Sequence, residues 1–421
     1  RYGIRLITTT LPFAILGVTL FRSARSLGIA PARCVLAACS YGFGSIAFIH
    51  AGLFSGHGIA AAFSFFSFAG LMSRKRFARG SGKGFLLGLS AGIAALADYT
   101  AIWISVILFA YALCLPIGGR DKVGFLLGGL VCAVLLACYN WKCFGSPISF
   151  SYAYQVTETF AAESRRGFLG ISLPRWREVL SLLGSPSRGL FFIMPVFLFS
   201  LEGIRRMLQN VKIRVEGMVI LLVAFGYVVL IGGFYGWHGG WSFGPRYFVP
   251  MLPFLALSTA FSKWEHMPFM LCLGISVFQV QVVAMSLPHC PEAIQNPLPE
   301  LVIPSILEGH LAETWPGWLG LPHSWAILLY LGVCGLLFLG AWISIRKVSS
   351  PEEPGHPRQG VLFWGILSWV AAIVLMAGIM RTNPPEQVSL YRERLRFHRV
   401  HEQVIERRVQ ELAENYRRSS P

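Results

Sequence analysis

A glycine- and tryptophan-rich segment, Gly236–Tyr247, carries the densest set of residues that could do chemistry. Its glycines would let the backbone approach a ligand closely, and its two tryptophans offer flat amphipathic surfaces. Pro245 suits the first turn of a following helix, so Arg246 would stand at a helix N-terminus, which favours phosphate oxygens. The candidate residues are Trp237, His238, Trp241, Arg246 and Tyr247. The alternative is an interfacial aromatic belt with an arginine that reaches toward lipid headgroups.

A second arginine precedes another apolar run. Arg188 lies in Ser185–Gly189, just before that run begins. Two arginines on the same side of a membrane could hold a diphosphate or a phosphodiester, because each guanidinium presents a fork of donors. A charge at a span boundary is the alternative interpretation of Arg188.

One carboxylate and two histidines stand at the ends of apolar runs. Asp98 could act as a general base, bind a metal ion or pair with an arginine, whereas the structural alternative is a helix cap or an ion pair. His57 begins a span and His50 lies seven residues before it. Together with Asp98 they could form a divalent metal site, although their spacing matches no metal motif.

The elements that must position these residues are membrane spans. Of the 421 residues, 54% are apolar and only 13% are charged, and the net charge is +16. An ordinary soluble domain has about 25% charged residues, so a water-soluble globule is excluded. Runs long enough to cross about 30 Å of hydrocarbon recur along the chain and predict about twelve spans. They are 6–22, 33–53, 57–73, 84–98, 99–117, 123–141, 189–204, 216–235, 247–262, 267–286, 323–345 and 361–380, with 84–98 and 99–117 alternatively one kinked helix or a re-entrant pair.

Lys and Arg predict the direction of these spans. They fill every second connection, as in 74–83, 120–122 and 205–214, and are nearly absent from the alternate short connections. The positive-inside rule therefore places the basic connections in the cytoplasm and the N-terminus outside. Nucleic-acid binding is not expected, because the long segments then face the exterior.

The predicted organisation follows from the spans. Transmembrane helices occupy 1–141, 189–286 and 323–380, and three extracytoplasmic segments occupy 142–188, 287–322 and 381–421. The tail 381–421 has apolar residues at helical spacing and an Arg/Glu-rich opposite face, which predicts an amphipathic helix on the membrane or on a partner protein.

The chain lacks an initial Met, so we expect an upstream segment. Cys143 and Cys290 are the only cysteines placed where an oxidising compartment could join them.

Five stretches together carry a family resemblance. FSGHGIAAAF and GLSAGIAALADYTA come first, followed by FGSPISFSYAY, SPSRGLFFIMPVFL and GGWSFGPRYFVPMLPFLAL. In this order they resemble the bacterial polytopic glycosyltransferases of the GT-C superfamily, related to the protein O-mannosyltransferase and aminoarabinose transferase group. The resemblance covers about residues 4–262. It implies an all-α bundle of about 11–12 transmembrane helices in the bacterial inner membrane.

The resemblance also implies a reaction. Such enzymes transfer a sugar from a polyprenyl-phosphate donor to an acceptor on the outer face of the membrane. By resemblance, Arg246 and Arg188 would contact the donor phosphate, while His57 and Asp98 would line the cavity. Trp237, His238 and Trp241 would border the acceptor.

One departure keeps other functions open. The family's catalytic acid lies in a first outer loop that this sequence does not contain, so no residue matches it. A catalytically inactive accessory subunit of a membrane complex, docked through 381–421, is the main alternative. A lipid or solute transporter is a further alternative, although the sequence has no inverted repeat.

Overall fold

The computed structural model describes residues 2–74, 83–154, 162–165, 167–262, 267–286, 290, 292, 294–307 and 332. Helices dominate this part of the chain, and its extended pairing is limited to two isolated bridges, Phe168 with Ile171 and Ile171 with Phe234. The prediction of an all-helical protein is therefore confirmed for the described residues.

The helices that begin in the first third are α1 (Gly3–Ser26, with a π-helical turn at Leu6–Thr10), α2 (Pro31–Gly42), α3 (Ala47–Gly52), α4 (Gly56–Arg74), α5 (Gly84–Ala97), α6 (Ile102–Cys114) and α7 (Gly119–Phe144). They are followed by α8 (Trp176–Gly184), α9 (Leu190–Ile193), α10 (Leu198–Gln209), α11 (Arg214–Gly233), α12 (Leu252–Thr259), α13 (Met267–Met285) and α14 (Ile303–Leu307). Short 3₁₀ turns lie at Tyr99–Ala101, Ser151–Tyr154, Pro195–Phe197 and Arg246–Met251, and a π turn lies at Leu298–Val302.

Five helices of the described chain are long and apolar enough to cross a membrane, namely α1, α4, α7, α11 and α13. They coincide with the predicted spans 6–22, 57–73, 123–141, 216–235 and 267–286. The multi-pass membrane class is thus supported by helix length and composition. Spans 323–345 and 361–380 and the tail 381–421 lie outside the described residues.

Three predicted spans are not continuous helices. The run 33–53 divides into α2 and α3 around Phe43–Ile46, and 189–204 divides around the 3₁₀ turn at Pro195. In 247–262, Pro250 lies inside a 3₁₀ turn and only the eight residues of α12 are α-helical. These breaks fall at glycine and proline, which interrupt helical hydrogen bonding without lowering the hydropathy of the run.

The run around Asp98 is a hairpin of two short helices. Asp98 has extended backbone angles and ends α5, and the Ser105 hydroxyl of α6 donates to the Ala91 carbonyl of α5 at 2.8 Å. The two arms therefore fold back on one another, which favours the two-helix prediction over one kinked helix. Asp98 lies at the tip of this hairpin.

The core surrounds α12, all of whose residues are buried. Phe254 of this helix contacts Phe65 and Phe68 of α4, with ring centroids 5.4 and 5.3 Å apart. Phe68 in turn contacts Tyr111 of α6 at 5.8 Å. Edge-to-face and tilted contacts of this kind add to the gain from burial, so α4 is fixed against the centre of the bundle.

Candidate functional site

The site is built on a hydrogen-bonded pair, His57 and Asp98. His57 is the second residue of α4, and Asp98 follows the last residue of α5. Gly56 allows the approach, because a side chain there would collide with the Ala97 carbonyl. His57 Nδ1 lies 2.5 Å from Asp98 Oδ2, and the side chains are 18% and 7% exposed. Sequence analysis grouped both residues as cavity and metal-site candidates but did not predict a direct contact between them.

Asp98 is held on its other oxygen by the turn that follows it. The backbone N–H and the hydroxyl of Thr100 both donate to Asp98 Oδ1, at 3.0 and 2.9 Å. The hydroxyl of Tyr227 from α11 lies 3.3 Å from that of Thr100. Asp98 therefore caps the turn, as the structural alternative predicted, and its side-chain partner is His57 and not the arginine that the sequence suggested.

This arrangement determines the state of the imidazole. A carboxylate only accepts hydrogen bonds, so the proton on neutral His57 stays on Nδ1. Nε2 is then the nitrogen with a free lone pair, which can accept a proton. The pair can act chemically as a general base that is oriented by a buried acid.

His50 and Tyr247 lie beside the pair. The His57 ring contacts the Tyr247 ring edge-to-face at 5.3 Å, and the His50 ring at 5.8 Å. His50 Nδ1 lies 2.9 Å from the Ser55 hydroxyl. Within the described residues no group of three or more His, Cys, Asp or Glu is arranged to hold a metal ion. The candidate metal site of His50, His57 and Asp98 is therefore not assembled among these residues.

Arg246 contacts Tyr247, which in turn contacts His57. Its Nη2 lies 3.3 Å from the Tyr247 hydroxyl, and its guanidinium carbon lies 5.1 Å from that ring's centroid. Its side chain passes over Gly239, where an added Cβ would lie 3.0 Å from Arg246 Cγ. Arg246 Nε is buried and has no hydrogen-bond partner among the described residues. The guanidinium therefore places a positive charge beside Tyr247, close to His57.

Arg188 has different surroundings. It is 2% exposed, and its guanidinium donates to the carbonyls of Ser242 and Gly240, the second at 2.8 Å. Burial lowers the pKa of Arg188, and neighbouring Arg246 lowers it further. Arg188 therefore braces the Gly236–Tyr247 loop from within.

His238 lies beside a residue that sequence analysis missed, Glu292. Its Nδ1 accepts the N–H of Gly240 at 3.1 Å and lies 3.4 Å from Glu292 Oε1. Burial lowers the pKa of His238, Glu292 opposes the shift, and Arg188 and Arg246 add to it. The neutral imidazole is consistent with an Nδ1 that accepts from backbone.

The two tryptophans differ in exposure. Trp237 packs partly buried against the core, with its ring centroid 6.0 Å from that of His238. Trp241 is 39% exposed. Of the two, Trp241 is the one that presents its ring to the surroundings of the loop.

Of the site residues that sequence analysis missed, only one had a local signal in the sequence. Thr100 could have been found, because Asp followed two residues later by Thr is a local capping pattern. Tyr227 lies 127 residues from Thr100, and Glu292 lies in a segment read only as a loop. Contacts between residues so far apart in the chain cannot be predicted from local sequence spacing.

The two cysteines that the sequence left open to pairing are not joined by a disulfide: Cys143 is exposed at the end of α7 and Cys290 is buried. Burial raises the pKa of the Cys290 thiol to about 12, so it is protonated and unreactive at neutral pH.

Comparison of the chain with protein-family models, with curated proteins and with solved structures returned no match in any of the three.

Proposed function

We propose that this protein is a membrane enzyme that transfers a sugar from a polyprenyl-phosphate donor to an acceptor hydroxyl at the outer face of a bacterial inner membrane. The observation that carries the proposal is the His57–Asp98 pair, with Arg246 one aromatic ring away. A base, an orienting acid and an unsatisfied cation are the groups that this reaction requires.

In the proposed reaction His57 Nε2 takes the proton of the acceptor hydroxyl while that oxygen bonds to the anomeric carbon of the sugar. The bond between that carbon and the phosphate oxygen breaks, and the polyprenyl phosphate leaves as an anion. Arg246 stabilises the charge that develops on the phosphate. Asp98 positions His57 and stabilises its imidazolium without contacting the substrate.

This assignment alters the roles expected from the sequence. Asp98 was the candidate base, and it now acts through His57. Arg246 is the donor-phosphate ligand, whereas the guanidinium of Arg188 is engaged with loop carbonyls. Trp241 and Trp237 border the acceptor, with His238 between them. No step in this scheme requires a metal ion.

The test uses the full chain in lipid nanodiscs, with radiolabelled undecaprenyl-phosphate hexoses as donors and a solubilised membrane extract as acceptor. His57→Ala, Asp98→Asn and Arg246→Gln should each lower label transfer by about 10²–10⁴-fold, the usual range for loss of acid–base catalysis or of a charge-stabilising donor. His50→Gln is the matched control, because His50 lies beside His57 but makes no contact with Asp98 that the structure shows.

Full transfer by folded His57→Ala and Asp98→Asn variants would contradict the proposal. If wild-type protein instead shows no transfer but co-purifies with partners until 386–421 is removed, the accessory-subunit alternative would replace it.

A further inference from the structure

A short amphipathic segment is fixed to the end of α11 nearest the site. The Ser172 N–H donates to the Gly233 carbonyl at 2.9 Å, and the Arg175 N–H donates to the Gly232 carbonyl at 3.1 Å. Leu182 of α8 is fully buried. These contacts hold the inner face of α8 and the residues before it against the bundle.

The opposite face of this segment is apolar and exposed. Leu173 is 86% exposed, Trp176 78% and Leu180 62%. Trp176 and Leu180 are four residues apart within α8, so they share one side of that helix, and Leu173 lies just before its first turn. Arg177, also exposed, flanks them on the same side of α8. Three large apolar side chains this open to water would be unfavourable, so something apolar must cover them.

The helix that holds this segment is itself a candidate membrane span with exposed apolar side chains. α11 is one of the helices long and apolar enough to span the membrane, and its Met218, Leu222 and Phe225 are 43%, 40% and 64% exposed. Because the segment packs on Gly232 and Gly233, where α11 ends, it lies where the hydrocarbon gives way to headgroups.

We propose that residues 172–184 form an interfacial anchor, with Leu173, Trp176 and Leu180 inserted at the boundary of headgroups and acyl chains in the leaflet on the side of the site. Tryptophan is enriched at this depth because its ring is apolar and its N–H is polar. Arg177 then reaches the phosphate layer. The anchor is independent of the proposed transferase activity.

The test is photo-crosslinking of the full chain in nanodiscs of phosphatidylethanolamine and phosphatidylglycerol. Trp176→p-benzoylphenylalanine should give an adduct whose added mass equals one phospholipid. The control is Val211→p-benzoylphenylalanine, since Val211 is equally exposed, at 77%, but stands between Asn210 and Lys212 in the loop that joins α10 and α11. We expect several-fold more lipid adduct at position 176 than at position 211.

An adduct at position 176 to another segment of this chain, to a second copy or to another protein would overturn the proposal. Equal lipid labelling at the two positions, or no adduct at position 176, would also overturn it. Gel filtration identifies folded variants, and Leu180→p-benzoylphenylalanine repeats the test if the first variant does not fold.

Discussion

The two arginines of the site stand in different surroundings. Arg188 is buried and donates to two loop carbonyls, whereas Arg246 keeps Nε without a partner among the described residues. We expect Arg188→Met to lower the free energy of unfolding by about 3 kcal/mol, because two buried carbonyls lose a charged donor. Arg246→Met is the matched control and should cost clearly less. Thermal unfolding in detergent, followed by tryptophan fluorescence, measures both, and equal losses would contradict the assignment of Arg188 as the brace.

His238 makes the loop sensitive to acid. Its pKa is lowered in the folded protein, chiefly by burial, whereas the unfolded chain has the ordinary value of 6.5. Below that pH the unfolded state binds the proton first, so stability falls as the pH drops through 6.5 and levels off only below the folded pKa. His238→Asn should reduce this loss, because the Asn carbonyl can still accept from Gly240. Unfolding midpoints of the two proteins over this range test the prediction, and unchanged pH dependence would refute it.

Residue types were visible in the sequence, but their partners were not. Asp98 and His57 were both candidates, yet 41 residues separate them and only the fold makes them a pair. Thr100 is a local contact of Asp98, so its role follows from spacing alone. Arg188 is buried because the Gly236–Tyr247 loop folds over it. The position of that loop cannot be predicted from composition.

At the scale of elements, α5 and α7 pack closely against one another in the described part of the chain. Gly84, Gly88 and Gly92 recur every fourth residue in α5, and Gly124 and Gly128 do so in α7. Small residues at this spacing let two backbones meet in a membrane, where packing replaces the hydrophobic effect. A side chain at Gly88 would collide with the Phe125 carbonyl. The hairpin tip that holds Asp98 therefore depends on this pair.

Adjacent glycines of α7 test that packing. A Cβ at Gly128 would collide with the Phe85 carbonyl, whereas a Cβ at Gly129 would lie 3.8 Å from the nearest atom, the Gly88 carbonyl. We expect Gly128→Ala to destabilise the protein by about 1–3 kcal/mol, the usual cost of overpacking. Gly129→Ala should be neutral or slightly stabilising, because alanine favours helix. Thermal unfolding of both variants measures this, and the reverse order would contradict the helix contact.

Hydropathy predicted continuous membrane-spanning helices correctly only where the apolar run was not interrupted. α1, α4, α7, α11 and α13 match predicted spans because their apolar runs contain few breaks. α12 was predicted as part of a span, but prolines shorten it and its neighbours bury all of it. Hydropathy measures the preference for leaving water and does not distinguish a lipid-facing helix from one enclosed by other helices.

At the scale of the whole molecule, the orientation in the membrane decides which compartment the site faces. The loop that joins α10 and α11 follows Arg205 and Arg206 and contains Lys212. Cys143, an exposed free thiol, ends α7 on the side predicted to be external. The positive-inside rule thus predicts opposite compartments for Cys143 and Val211, with the His57–Asp98 pair on the side of Cys143.

Thiol labelling tests this orientation. In a chain whose other cysteines are replaced by Ser or Ala, Cys143 should react with a membrane-impermeant maleimide on intact bacterial cells. Val211→Cys in a chain without other cysteines should react only after the cells are permeabilised, because its loop lies in the cytoplasm. Both thiols are expected to be accessible once the membrane is opened, since both side chains are exposed, which controls for burial. The inverse pattern would place the site in the cytoplasm and remove the proposed transfer from the outer face.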